Sequence, residues 1–301
     1  GGKEGAKSEN FAIAFLGSLT KDLSVETDMT LTGTTSHSVT IADGKTVTLD
    51  GVSISSNVSD AFGIRCLGDA TIVLADGSDN TLNTTCTALC SGPSGTLTIE
   101  GNTGKLVAKA SKDQFCAIGD SDAIGVGGNI VINGGVIEAY GGELSAAIGS
   151  GFNSVCGDIT INGGDIIALG QAEGVAIGSG HRGSCGVIKI TAGKVKATGG
   201  IAATGIGTSP GYSGDESSCG GIIITGGTVE AYGGENCPAI GCAEFASCSA
   251  ITISGGSGTA YAGQNSVYSI GSRTGDDSCG TVTIGSTVTG SISQSPYSWN
   301  L

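Results

Sequence analysis

The stretch GGNIVINGGVIEAYGGELSAAIG, residues 127–149, recurs along the chain and decides its fold. Five further copies, the last of them partial, each begin at a cysteine: Cys156, Cys185, Cys219, Cys248 and Cys279. Successive copies therefore start 29, 29, 34, 29 and 31 residues apart. Self-similarity at a nearly fixed spacing is typical of a solenoid.

Each copy contains three short apolar runs. In the first copy these are Ile130 and Ile132, then Ile137 and Ala139, then the Ala-Ile-Gly run at Ile148. Alternation at period two predicts strands with their apolar side chains on one face. The Gly-Gly pairs between runs supply the positive φ that sharp corners need, and no run is long enough for a helix. The pattern predicts an all-β fold: a single parallel β-helix with three short strands in each coil.

The coils extend toward the N-terminus of the repeat region. Val47/Leu49, Ile72/Leu74 and Leu97/Ile99 resemble earlier first strands, 25 residues apart. Both zones together predict about nine coils. We expect a linker remnant and N-terminal cap over residues 1–24, the β-helix over 25–290, and a C-terminal cap or the start of a further segment over 291–301.

Net charge and hydropathy bear on which partners this chain could have. The net charge of −14 disfavours nucleic acid and anionic membranes, and it is compatible with cations or neutral glycans. The apolar run FAIAFL, residues 11–16, is short and has no basic flank. It therefore predicts neither a signal peptide nor a membrane span, and we expect it to cover the open first coil.

The cysteines that begin the copies occupy one position in consecutive coils. In such a column neighbouring Cα atoms lie roughly 5 Å apart, within disulfide range, but five thiols in one column cannot all pair. We expect a ladder of small buried thiols rather than a metal site, which would favour C-x-x-C or Cys/His clusters. Two corner pairs, Cys86/Cys90 and Cys237/Cys242, are close enough in sequence to bridge.

Tyrosines stand on the outward face of the second strand. Thirteen residues after each copy begins, the chain has Tyr140, Leu169, Thr198, Tyr232 and Tyr261. Tyr232 and Tyr261 would be adjacent, and Tyr140 would lie three coils, about 14 Å, from Tyr232. Aromatic faces suit stacking against sugar rings, although tyrosine also favours strands and could simply shield the sheet. The predicted glycan contacts are Tyr140, Tyr232 and Tyr261, flanked by Glu138 and Glu230.

Acidic residues gather in turns. Asp120 and Asp122 follow one Ala-Ile-Gly run, and Asp76 and Asp79 lie in the tight turn ADGSDN. Clustered carboxylates with backbone carbonyls can hold calcium, so these four are the candidate ligands and calcium is the one cofactor expected. Aspartate is also an ordinary turn residue, and neither an EF-hand loop nor the nonapeptide of calcium-binding β-rolls is present.

Candidates for catalysis are few. A glycosidase needs two carboxyl groups roughly 5–9.5 Å apart, whereas Glu138 and Glu230 are three coils apart. A polysaccharide lyase would need a basic residue beside an acidic cluster. His181 and Arg182 share a loop, but the sequence indicates no acidic cluster beside them. We therefore do not expect an enzyme, and a polysaccharide lyase or hydrolase is the less favoured alternative.

Three segments resemble a known family: LDGVSISSNVSDAFGI (49–64), IVLADGSDNTLN (72–83) and GTLTIEGNTGKLVA (95–108). They are similar to the carbohydrate-binding β-helix family of clostridial and gut-bacterial cell-surface proteins. The resemblance implies a right-handed parallel β-helix that binds polysaccharide without catalysis, with acidic plant polysaccharide or cellulose among the ligands and calcium in the structure. The long cysteine column departs from that family.

These observations predict an extracellular or cell-surface protein that binds polysaccharide and has no nucleic-acid partner and no membrane span. The alternative is a structural stalk or adhesin segment with a protein partner, since each coil of a β-helix adds a fixed rise. Tyrosines covered by loops or by another chain would favour the stalk.

Overall fold

The computed structural model describes residues 12–120, 125–273 and 279–293, and these form one solenoid of parallel strands. Before the repeat region lie a 3-10 turn at Leu16–Ser18 and the strands β1 (Ala12–Phe15), β2 (Leu23–Val25), β3 (Met29–Thr35), β4 (Val39–Ile41), β5 (Lys45–Ser55), β6 (Ile64–Cys66), β7 (Ala70–Leu74), β8 (Asp79–Thr84), β9 (Leu89–Cys90), β10 (Thr96–Gly101), β11 (Lys105–Ala110) and β12 (Ile118–Gly119). The first three copies contribute β13 (Asn129–Ile132), β14 (Val136–Tyr140), β15 (Ile148–Gly149), β16 (Val155–Cys156), β17 (Ile159–Ile161), β18 (Asp165–Leu169), β19 (Ile177–Ser179), β20 (Ser184–Ile190), β21 (Lys194–Thr198) and β22 (Ile206–Thr208). The remaining strands are β23 (Ser217–Ile224), β24 (Thr228–Tyr232), β25 (Ile240–Cys242), β26 (Ala246–Cys248), β27 (Ile251–Ile253), β28 (Ser257–Tyr261), β29 (Ile270–Ser272), β30 (Val282–Ile284) and β31 (Thr289–Ile292).

Each strand pairs in parallel with its equivalent one coil away. The third strands, which in the repeat copies carry the Ala-Ile-Gly run, form a 10-stranded sheet, and the first and second strands of the coils belong to a 21-stranded sheet. One strand per coil in the smaller sheet makes ten described coils, against about nine expected from the repeat. The prediction of an all-β parallel solenoid with three strands per coil is confirmed.

Identical apolar side chains stack along the interior. Ile159 is in register with Ile130 on one side and Ile188 on the other, and all three are fully buried. The Ala-Ile-Gly isoleucines stack in the same way, as Ile148 on Ile177 shows. Each fully buried isoleucine contributes about 1.5–3 kcal/mol, so the repeated columns are the main source of stability.

The Ala-Ile-Gly glycine is required by close approach of the backbone. Gly149 and Gly178 both have φ of 139°. A Cβ atom on Gly149 would lie 1.9 Å from the Gly178 carbonyl oxygen one coil away. Only glycine satisfies both the positive φ and the contact, which explains why this run ends in glycine in copy after copy.

The ends of the solenoid are partly described. β1 pairs with β3 through Ala12 and Met29, and Leu16 is fully buried, so residues 12–18 lie over the first coil. Residues 1–11 and 294–301, which include parts of the expected caps, lie outside the described residues. Within the described ranges, no helix has the length and hydropathy that a membrane crossing needs.

Candidate functional site

The predicted tyrosine column lies on the outer surface of the second strands, here called the sheet face. Register joins Tyr140 to Leu169, Leu169 to Thr198, Thr198 to Tyr232, and Tyr232 to Tyr261. Tyr232 and Tyr261 are therefore neighbours, and Tyr140 stands three coils from Tyr232. Glu230 lies in the same strand as Tyr232, whereas Glu138 accompanies Tyr140.

One face of the Tyr232 ring is covered. It stacks on Tyr261 with centroids 5.1 Å apart and planes inclined by 16°. The Nζ atom of Lys196 lies 5.6 Å from the Tyr232 centroid. Lys196 belongs to the preceding coil and Tyr261 to the following one, so Tyr261 closes one face of Tyr232 to a sugar ring. Tyr261, 41% exposed, is the more accessible of the pair.

Tyr140 and Glu138 form a separate polar group. The Tyr140 hydroxyl donates to Glu138 Oε2 over 3.0 Å, and Lys105 Nζ lies 2.7 Å from Glu138 Oε1. Hydrogen bonds from Lys105 and Tyr140 lower the pKa of the Glu138 carboxyl. Glu138 is thus held as a carboxylate, a state suited to accepting hydrogen bonds and not to donating a proton.

The candidate calcium ligands that the structure describes do not form a metal site. Asp76 Oδ1 accepts hydrogen bonds from the backbone N and the Oγ1 of Thr103, at 3.0 and 3.1 Å. Asp79 begins β8 in the same turn, Asp120 lies at a different corner after β12, and Asp122 lies outside the described residues. Among the residues that the structure describes, no group of three or more acidic, cysteine or histidine side chains could hold a metal ion.

Asp120 is a buried carboxyl that links two coils. It is 1% exposed, and its Oδ1 accepts from the Gly151 backbone N over 2.6 Å and from Cys116 Sγ over 3.1 Å. Burial raises the pKa of Asp120 to about 6, although these hydrogen bonds oppose the rise. The next two coils have serine at this position, Ser150 and Ser179, so Asp120 is an exception in its column.

The five column cysteines are in register. Cys185 lies between Cys156 and Cys219, and Cys248 lies between Cys219 and Cys279. Burial raises the pKa of the Cys156 and Cys185 thiols. An open groove of about 620 Å³ passes over this ladder, with Cys185, Cys219 and Cys248 in its floor and Ser218 and Ser247 beside them.

A second surface was missed by the sequence analysis. We call it the loop ridge: the loops after the third strands of four consecutive coils, which carry Phe152, His181, Tyr212 and Phe245. The His181 ring stacks on Phe152, with centroids 5.8 Å apart at 19°, and meets Tyr212 edge-on, with centroids 4.7 Å apart at 68°.

Backbone hydrogen bonds join the loops of the ridge from one coil to the next. Asn153 N donates to His181 O, and Gly211 N donates to Glu244 O, each over 2.9 Å. The ridge is therefore a continuous structure that runs parallel to the solenoid axis.

His181 and Arg182 each have one carboxylate neighbour, which the sequence analysis did not foresee, although the described residues show no metal-holding acidic cluster there. Glu173 Oε2 is 3.1 Å from His181 Nδ1, though not aligned for a hydrogen bond, and Asp215 forms an ion pair with Arg182. Glu173 comes from another corner of the coil and Asp215 from the 34-residue copy. Coil stacking brings Asp215 to Arg182, whereas Glu173 reaches His181 from the other end of β19 in the same coil.

His181 is held neutral. It is 1% exposed, and burial lowers its pKa, with Glu173 opposing and the Arg182 charge adding to the decrease. The guanidinium of Arg182 lies 5.8 Å from the Phe152 centroid and 5.9 Å from the Tyr212 centroid. The ridge thus presents aromatic rings, a guanidinium and carboxylates along one line.

Comparison with known proteins supports the fold. A family model described as a beta helix repeat matches residues 130–152 and 222–244, two stretches that cover less than half of the chain. Both matches run from a first strand to the loop that follows the third strand. Searches of curated proteins and of solved structures give no match. The comparison therefore supports a parallel β-helix family and does not extend to carbohydrate binding.

Proposed function

We propose that this protein is a secreted or cell-surface β-helix protein that binds polysaccharide without cleaving it. The observation that carries the proposal is a row of aromatic side chains along the solenoid axis. The row joins Phe152, His181 and Tyr212 on the loop ridge. A polysaccharide is a linear polymer of rings with apolar C–H faces and hydroxyl edges, so a surface repeated coil by coil matches its periodicity.

The geometry of the carboxylates favours binding over cleavage. Glu138 forms an ion pair with Lys105, which lowers the pKa of its carboxyl group. A general acid needs a raised pKa. Register places Glu230 three coils from Glu138, about 14 Å at the strand spacing. That separation exceeds the roughly 5–9.5 Å over which glycosidase carboxyl groups act.

Retention on a panel of insoluble and acidic polysaccharides tests the proposal. Specific retention with no release of reducing ends is the expected result. Repeating the assay with calcium and then with chelator tests whether calcium takes part, since the described candidate ligands Asp76, Asp79 and Asp120 form no metal site together. Release of reducing ends from any retained polymer would contradict binding without cleavage.

A structural stalk is the second candidate, and one observation favours it. One face of Tyr232 is covered by Tyr261 of this chain, as expected if the tyrosines shield the sheet. Absence of retention on every polymer, together with concentration-dependent self-association in sedimentation experiments, would favour the stalk.

A further inference from the structure

The loop ridge holds large side chains in a backbone conformation that normally selects glycine or asparagine. Asn153, Arg182 and Phe245 have φ of 52°, 56° and 49°. Each stands three residues before a cysteine of the column. Asparagine tolerates this region, but arginine and phenylalanine rarely occupy it. The chain uses glycine at many other corners, and strained residues are concentrated at functional sites.

Two aromatic side chains on the ridge are open to solvent. Tyr212 is 56% exposed and Phe245 is 48% exposed, although Phe152 and Tyr212 both contact the buried His181. The rings are attached to loops that are hydrogen-bonded from coil to coil, because Ser217 N donates to Phe245 O over 3.2 Å. A ligand would meet them with little ordering of the protein, which favours affinity.

Two ion pairs lie on the ridge. Arg182 pairs with Asp215, and Arg273, on the next loop, pairs with Glu244. Glu216 adds a further carboxylate, and the whole chain carries −14. Guanidinium groups donate and carboxylates accept, which together satisfy the donor and acceptor character of neighbouring hydroxyls. An uncharged polymer is favoured, since a polyanion would meet the carboxylates as well as the net negative field.

Polar atoms beneath the ridge have few partners. Among the described residues, Ser179 Oγ and Arg182 Nε are buried and make no hydrogen bond, and His181 Nδ1 has only the Glu173 carboxylate, 3.1 Å away. All three belong to one four-residue stretch of the ridge. Unsatisfied buried polar groups are uncommon in folded proteins and call for an explanation, and a polar ligand seated above this loop supplies one.

We infer that the loop ridge, and not the sheet face, is the docking surface for polysaccharide, and that the polymer it takes is uncharged. The inference rests on the proposed function and adds to it the contact surface and the class of glycan. Tyr212 and Phe245 stack on sugar rings, and the Arg182–Asp215 and Arg273–Glu244 pairs bind hydroxyls.

Affinity electrophoresis in gels containing a soluble neutral β-glucan or polygalacturonate tests the inference. The ridge variant combines Tyr212→Ala with Phe245→Gly, and Phe245→Gly alone is the second variant, because φ of 49° suits glycine. The matched control on the sheet face combines Tyr232→Ala with Tyr261→Ala. Thermal unfolding of all four proteins establishes that they are folded.

The expected result is retardation of wild type by the neutral glucan, at least about tenfold weaker binding for the ridge double variant, and near-wild-type binding for the control. Unchanged binding by both ridge variants, with loss in the control, would overturn the ridge while leaving polysaccharide binding in place. Stronger retardation by polygalacturonate would overturn the uncharged class. No retardation by any polymer would overturn the ridge and the proposed function together.

Discussion

The rings of Tyr232 and Tyr261 lie face to face, with centroids 5.1 Å apart, one coil from each other. Offset-stacked aromatic pairs contribute about 0.5–1.5 kcal/mol beyond the area that they bury. The pair therefore stabilises the contact between two neighbouring coils, whatever it does for a ligand.

A double-mutant cycle measures this contribution. We expect Tyr232→Ala and Tyr261→Ala to show a coupling of about 0.5–1 kcal/mol in the free energy of unfolding. Tyr140→Ala with Tyr261→Ala is the matched control, because these positions are four coils apart and should be additive. Additivity of the stacked pair as well would mean that the rings do not interact in solution.

Substitution of the Ala-Ile-Gly glycine should be far more costly than substitution of an exposed corner glycine. In Gly178→Ala, the new Cβ would lie 1.9 Å from the Gly207 carbonyl oxygen, at φ of 139°. We expect a loss of about 3 kcal/mol or more, because the contacting backbone belongs to the next coil and cannot retreat without breaking the stack.

Gly44→Ala is the control, since its φ of 71° is also positive but no atom lies within 4 Å of the added Cβ. A loss of about 1 kcal/mol is expected there. The urea midpoints of the two variants measure both losses of stability. Equal losses would show that the positive φ alone, and not the close approach of the next coil, selects glycine.

The interior of this fold could be predicted from sequence because the relevant residues repeat. Ile159 falls at the same offset as Ile130 and Ile188, and stacking follows directly from that equality. The adjacency of Tyr232 and Tyr261 follows in the same way. The direction in which their rings face does not, because side-chain rotation leaves no trace in the spacing, and here the rings face each other along the axis.

The loop ridge could not be predicted from the repeat. Glu173 contacts His181, and Asp215 contacts Arg182. The loops that carry these two acidic residues are not copies of each other in the repeat. One signal was present: Arg182 and Phe245 stand at the same distance before a column cysteine as Asn153, a residue that tolerates positive φ. The equivalent positions therefore mark a corner with positive φ, a backbone conformation that arginine and phenylalanine rarely adopt.

The buried thiols should resist alkylation in the native state. The thiolate is the nucleophile, and burial raises the pKa of Cys156 and Cys185 as it raises the pKa of Cys66 to about 12. We expect no labelling of these three by iodoacetamide at pH 8 in native buffer and full labelling in urea, measured by peptide mass spectrometry. Cys279, which is less buried, serves as the internal comparison and should react first.

Rapid native labelling of Cys156 or Cys185 would contradict burial of these thiols and would indicate that reagents reach them from the groove that passes over the ladder. Labelling that follows global unfolding, with the same dependence on urea, would support the ladder as part of the core.

Replacement of Asp120 by asparagine should stabilise the protein at neutral pH. Burial raises the Asp120 pKa from its ordinary 3.8 to about 6, so the native state binds the proton more tightly than the unfolded state does. The contribution of Asp120 to stability is then greatest below pH about 4 and is lost as the pH rises through 6. The raised pKa corresponds to a free energy of unfolding that is roughly 3 kcal/mol lower at pH 7 than it would be with an unshifted carboxyl group. Asparagine resembles the protonated acid and can still accept from the Gly151 N–H.

Thermal unfolding of wild type and Asp120→Asn between pH 4 and 8 checks this. The variant should be the more stable protein at pH 7.5, and the two should converge near pH 4. Asp60→Asn is the opposing control, because Lys112 lowers the pKa of the exposed Asp60. That lowered pKa favours the native state above pH about 4, so this substitution should not stabilise at any pH. A lower unfolding temperature for Asp120→Asn at pH 7.5 would mean that the ionised carboxylate is compensated by its hydrogen bonds to the neighbouring coil.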